Sequence, residues 1–104
     1  MGYEEIVEKV EAYSNRVREH CRPEMIVLYG SYAHGTADEH SDIDIAVICN
    51  TMSGDFMEDS AVLFRLRRDI DLRIEPVLIQ TDDKDTGFYN DILKNGKIIY
   101  SQTA

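Results

Sequence analysis

Apolar residues recur at three- and four-residue intervals at Tyr3, Ile6, Val7, Val10, Tyr13 and Val17, with Glu4, Glu5, Glu8, Lys9 and Glu11 between them. At 3.6 residues per turn this gathers the apolar set on one side, which predicts an amphipathic helix that Pro23 closes. A continuous apolar run at 25–29, ended by Gly30, has the length of a buried strand. The stretch 31–41 is small, polar and glycine-containing, which predicts a loop with one helical turn. Apolar character returns at 42–49 as a second strand. After a turn at 51–55, Phe56, Val62, Leu63 and Leu66 restore helical spacing, predicting a helix over 56–68. Asp71, Arg73 and Glu75 then alternate with Leu72 and Ile74, so 70–79 is predicted as a third strand, and Pro76 within it predicts an edge position or a bulge. A polar turn at 81–85, a short helix at 86–94 stopped by Asn95-Gly96, and a final strand at 97–100 complete the pattern.

Strands that alternate with helices predict an α+β domain of α/β type, with a small mixed sheet of three to four strands flanked by helices. The chain has 104 residues, 43% of them hydrophobic, which is enough for one core and too little for two. A single domain over 1–104 is therefore expected. No apolar run approaches the ~20 residues needed to cross a bilayer, and the start Met1-Gly2-Tyr3-Glu4-Glu5 lacks the basic and apolar regions of a signal peptide. A cytoplasmic location and no membrane partner are the expectation.

Charge narrows the partners. A formal net charge of -9 opposes binding to long nucleic acid, which depends on lysine and arginine displacing counterions. A single nucleotide carried with a metal ion is compatible, because the ion supplies positive charge locally. Cys21 and Cys49 form neither a metal-ligand spacing nor a disulfide framework and are expected to be two reduced thiols, Cys49 in a core strand.

The chemistry concentrates in Val27-Leu28-Tyr29-Gly30-Ser31-Tyr32-Ala33-His34-Gly35 and Ser41-Asp42-Ile43-Asp44-Ile45-Ala46-Val47-Ile48. On a strand, residues two apart share a face, so Asp42 and Asp44 point one way while Ile43 and Ile45 enter the core. Two adjacent carboxylates repel and raise each other's pKa, a cost that a divalent cation offsets. Hard oxygen ligands without a cysteine or histidine pair favour magnesium, which takes one or two carboxylates together with substrate phosphates. Gly30-Ser31 follows a strand, where backbone N–H groups of a helical turn can receive a phosphate and glycine permits close approach.

Gly-Ser, ten intervening residues (32–41) and Asp-x-Asp resemble the signature of the polymerase β nucleotidyltransferase superfamily. By size and by the Gly-Ser-x-Ala-x-Gly start, nearly the whole chain resembles the minimal nucleotidyltransferase (MNT) domain. The resemblance implies a third carboxylate on a later strand; Asp71 stands in the matching position, and Glu75, on the same predicted face, is the reserve. It further implies two magnesium ions held by Asp42, Asp44 and Asp71, ATP as substrate, and phosphate contacts from Gly30 and Ser31. Arg73 is a candidate to hold a carboxylate or touch phosphate, with surface ion pairing as the plain alternative. Tyr32 and His34 stand where family members often carry arginine, and His34 has an ordinary loop histidine as its plain alternative. The resemblance also implies a helical HEPN toxin as partner, with this chain as the antitoxin that moves AMP to a tyrosine of the toxin. Two other readings stay open: a non-catalytic nucleotide- or metal-binding module that masks a partner, and a small-molecule nucleotidyltransferase of the aminoglycoside kind that uses an extra domain or a homodimer cleft.

Overall fold

A computed structural model describes residues 3–38, 40–50, 53–83 and 87–102, with only the backbone of Tyr3 and Asp83. Its elements are α1 (Tyr3–His20), β1 (Met25–Tyr29), α2 (Ser31–His34), β2 (Ile43–Ile48), α3 (Phe56–Leu66), β3 (Ile74–Ile79), a 3-10 turn at Thr81–Asp83, α4 (Gly87–Asn95) and β4 (Lys97–Ser101). The predicted α+β class holds. Parts of the turns predicted at 51–55 and 81–85, and residue 86 of the last predicted helix, lie outside the described residues.

The four strands form one mixed sheet in the order β3-β2-β1-β4. β1 runs antiparallel to β2 and to β4, while β2 and β3 are parallel. Pro76 thus lies on an edge strand, where a missing N–H is tolerated. On one face, Ile6, Val10, Tyr13 and Val17 of α1 and Leu63 of α3 pack with Ile26, Leu28, Ile43, Ile45 and Val47. These side chains are almost wholly removed from water, and burial of each contributes on the order of 1.5–3 kcal/mol. The buried Tyr13 hydroxyl donates to the Leu63 carbonyl at 2.7 Å, which joins the two helices and satisfies the one polar atom that ring carries.

The opposite face is covered more narrowly. Val27, Ala46, Ile48 and Ile79 meet Ile92 of α4 there. Gly96 is what lets α4 turn straight into β4: a Cβ at that position would lie 2.6 Å from the Ile92 carbonyl oxygen and 2.6 Å from a Val27 methyl. β2 is buried on both faces from Ile45 onward, but its first polar position, Asp44, is only half-buried.

The strand predicted at 70–79 is corrected to Ile74–Ile79. Beyond α3 the backbone closes on itself, with Ile70 N–H donating to the Arg67 carbonyl, Asp71 N–H to the same carbonyl, and Ile74 N–H to the Asp71 carbonyl. Local turns therefore occupy the groups that a ladder would use, and pairing with β2 starts at Ile43 opposite Ile74. An alternating pattern marks residues that fit a pleat, not the point at which a neighbouring strand becomes available.

Candidate active site

Tyr29, Asp44 and Glu75 are direct partners across β1, β2 and β3. Residues opposed on adjacent strands share a face, so the three form a row on the α4 side, with Tyr29 and Asp44 half-buried and Glu75 exposed. Asp42 precedes β2 by one residue and adds its charge to the row. The Asp44 carboxyl is held above the ordinary carboxylate range, first by burial and then by the charges of Asp42 and Glu75. The Tyr29 phenol is pushed up to about 12, first by burial and then by Asp44 and Glu75. Among the described residues no lysine or arginine forms an ion pair with Asp44.

The turn after β1 is fitted to this group. Gly30 has φ 74, a conformation that disfavours any side chain, and a Cβ there would run into the Asp44 carboxylate, with the Asp44 Cγ only 3.1 Å away. The Gly30 carbonyl accepts from the N–H groups of Ala33 and His34, both at 3.1 Å, and so starts α2. The first N–H groups of a helix have no intrahelical acceptor. Those of Ser31 and Tyr32 follow directly on the glycine that touches Asp44, next to the half-exposed Ser31 side chain.

Asp71 is not brought to this row. It lies in the turn before β3, and its carboxylate accepts from Arg73 Nη2 and Lys9 Nζ, each at 2.8 Å, and from the Arg73 backbone N–H at 2.9 Å. Lys9 belongs to α1, which packs on the other face of the sheet. Hydrogen bonds from Arg73, outweighing burial and reinforced by Lys9, hold the Asp71 carboxyl well below the usual range. Arg73 also donates to the Tyr32 hydroxyl at 3.3 Å, and that hydroxyl donates to the Asp38 carbonyl at 3.1 Å. Arg73 thereby braces the β3 turn against α2. The resemblance places Asp71 in the position of the third carboxylate, with Glu75 on the same predicted face as the reserve; with Leu72 and Arg73 in a turn and β3 starting at Ile74, the two-residue alternation no longer links Asp71 to Glu75.

Asp42, Asp44 and Glu75 are all hard oxygen donors, which suits magnesium. Among the described residues no three His, Cys, Asp or Glu side chains are already gathered into a metal cage. An open pair or trio of carboxylates that phosphate oxygens complete is how magnesium is ordinarily held in phosphoryl-transfer sites, so the donor set fits that ion in a substrate-assisted site.

An aromatic pair borders the row, and of its two members Phe88 carries no signal in the sequence. Tyr29 meets Phe88 of α4 edge to face, with ring centroids 5.6 Å apart and planes at 85°, and Phe88 keeps 45% of its surface exposed. Nothing in the spacing of these residues signals the contact, which exists because α4 crosses this face of the sheet.

The family model described as Polymerase beta, Nucleotidyltransferase matches residues 8–104. A curated relative from Methanocaldococcus jannaschii, provisionally named a protein adenylyltransferase, is 36% identical over 89 residues, covering 74% of this chain and 58% of the relative. The chain thus spans under two-thirds of that relative's length. A crystal structure from Sulfolobus solfataricus, described as a nucleotidyltransferase, matches the fold with a TM-score of 0.70 at 16% identity, covering 97% of this chain and 85% of that one.

Proposed function

The chain belongs to the polymerase β nucleotidyltransferase family, and from that premise we propose that Asp42, Asp44 and Glu75 form its carboxylate set, with Gly30 and Ser31 seating the phosphates of ATP. The observation that carries this reading is Asp44 itself: half-buried, crowded by two like charges, and lying against a glycine that leaves room for nothing larger. A fold retains such an uncompensated carboxylate at a cost, and raised carboxyl pKa values of this kind cluster at functional sites.

Enzymes of this family generally use nucleoside triphosphates and divalent metals. When bound at Asp42 and Asp44, magnesium supplies neutralisation of the triphosphate charge and polarisation of the α-phosphoryl group. The residues do the rest. Asp42 and Asp44 set where the metal and the phosphates sit, and the amides after Gly30 and the Ser31 hydroxyl donate to phosphate oxygens. Glu75, directly opposite Asp44, orients the acceptor hydroxyl and takes its proton. The acceptor oxygen bonds to the α-phosphorus, the bond from that phosphorus to the α,β-bridging oxygen breaks, and pyrophosphate leaves.

AMP transfer to a hydroxyl on a protein is the form of the reaction we favour, supported by the name of the M. jannaschii relative. The acceptor protein in this reading is a helical, basic HEPN-type toxin, to which the chain's net charge of -9 is complementary, and the chain acts as the antitoxin. Labelled ATP and magnesium, added with and without the product of the adjacent reading frame, test it. Label on the neighbour, lost with Asp44→Asn, is the expected result. Protection of the neighbour without label would instead make the chain a binding module, and label transferred equally well by Asp44→Asn would refute the site.

A further inference from the structure

Cys21 and Cys49, unremarkable in the sequence, meet at the end of the sheet away from the acidic row. Cys49 follows β2 and is sealed in the core, while Cys21 follows α1 and is half-buried against the same cluster. The Cys49 thiol donates to the Cys21 sulfur across 3.9 Å. Cys21 also lines a cavity of about 500 Å³ bordered by Arg18, Arg22, Tyr100 and Gln102, with the Arg18 guanidinium 4.0 Å above the Tyr100 ring. The two sulfurs are therefore not equivalent. Cys21 is half-buried and lines a cavity together with two arginines, whereas Cys49 is buried and donates to Cys21.

We propose that Cys21 and Cys49 are a peroxide-reactive dithiol that closes to an intramolecular disulfide, with Cys21 as the attacking sulfur and Cys49 as the resolving one. The hydrogen bond from Cys49 lowers the Cys21 pKa, while burial and the Asp59 carboxylate push the other way. In the first step the Cys21 sulfur attacks one oxygen of hydrogen peroxide, the O–O bond breaks, Cys21 becomes a sulfenic acid, and the departing hydroxide takes the thiol proton as water. In the second, the Cys49 sulfur attacks the Cys21 sulfur, the S–O bond breaks, and the hydroxyl leaves as water with the Cys49 proton. Two thiols are oxidised and one peroxide is reduced to two waters. Contact at 3.9 Å leaves an approach of about 2 Å to a bonded pair, within the reach of side-chain rotation and slight backbone adjustment. The bond would tie the end of α1 to the end of β2, and by restricting the unfolded chain it would raise the unfolding midpoint.

The test is intact-mass analysis of the full chain after hydrogen peroxide and denaturing alkylation, with thermal unfolding of the same samples. The wild type is expected to lose two hydrogens, to keep no alkylatable thiol, to yield one cross-linked peptide joining Cys21 and Cys49, to remain a single chain, and to unfold at a higher temperature than its reduced form. Cys49→Ser is expected to stop at a Cys21 sulfenic acid trapped by dimedone, and Cys21→Ser to leave the Cys49 thiol unoxidised. Oxygen added at Cys21 with Cys49 still alkylatable, a bond between two chains, or retention of both thiols would overturn the proposal. Sulfenic acid appearing at Cys49 in Cys21→Ser would overturn the assigned roles.

Discussion

Asp44 and Asp71 approach the same end of the sheet from opposite faces, and their surroundings differ in sign. Asp71 is clasped by Arg73 and Lys9, so its charge is compensated within the chain. Asp44 lies beside the charges of Asp42 and Glu75, touches Gly30, and among the described residues has no lysine or arginine in an ion pair with it. A carboxylate held by its own protein has its charge balanced within the fold; one crowded by like charge gains from a cation supplied from outside. The difference cannot be seen from residue type, since both are aspartates beside a parallel pair of strands.

The largest effect expected on this contrast comes from Asp44→Asn, which should lower nucleotidyl transfer by at least about 10³-fold with an unchanged circular dichroism spectrum. The next separates the two clusters directly. Glu75→Gln should cost about 10²-fold in transfer, whereas Asp71→Asn should stay within about tenfold of wild type; the reverse ranking would return Asp71 to the site. Gly30→Ala should lower stability to urea by about 2–3 kcal/mol, because it combines a positive φ with a Cβ that collides with Asp44, and it should impair transfer as well.

A smaller effect, with opposite signs at the two aspartates, is expected in the pH dependence of unfolding. The folded-state pKa of Asp71 is lowered, so its contribution is fully present above its unfolded value of about 4 and fades as pH falls through the folded one. Asp71→Asn should therefore destabilise the fold by about 1–3 kcal/mol at neutral pH and by progressively less below about pH 4. The folded-state pKa of Asp44 is raised, so its contribution favours the fold at low pH and is lost as pH rises through the folded pKa. Asp44→Asn should accordingly be at least as stable as wild type at neutral pH in the absence of metal, the usual trade between stability and function. Smallest of all, magnesium with ATP should raise the melting temperature of wild type and leave that of Asp44→Asn unchanged.

The order of elements, the amphipathic α1, the buried β1 and β2 and the Gly-Ser turn before Asp-x-Asp were all legible in one dimension. Each depends on spacing within a few residues: Ile43 and Ile45 inward forces Asp44 outward, and Gly30 announces a turn. Pro76 narrowed β3 to an edge position or a bulge, and the strand order makes it the edge. These are consequences of a period of 3.6 or 2 and of backbone sterics, and both act along the chain.

Pairing and helix placement act across the chain and left no such trace. Glu75 joined the acidic row because β2 and β3 came into parallel register with Asp44 opposite it, and a shift of one residue would have turned it to the other face. Asp71 left the row because α3 ended in turns that consumed its backbone groups and because Lys9, far off in sequence, stood close enough to claim its charge. The contact between Cys21 and Cys49 likewise required the ends of α1 and β2 to coincide. Local periodicity limits which residues can face one way; which of them meet is settled by long-range packing, where register and the arrival of a distant cation decide the charge balance at a single carboxylate.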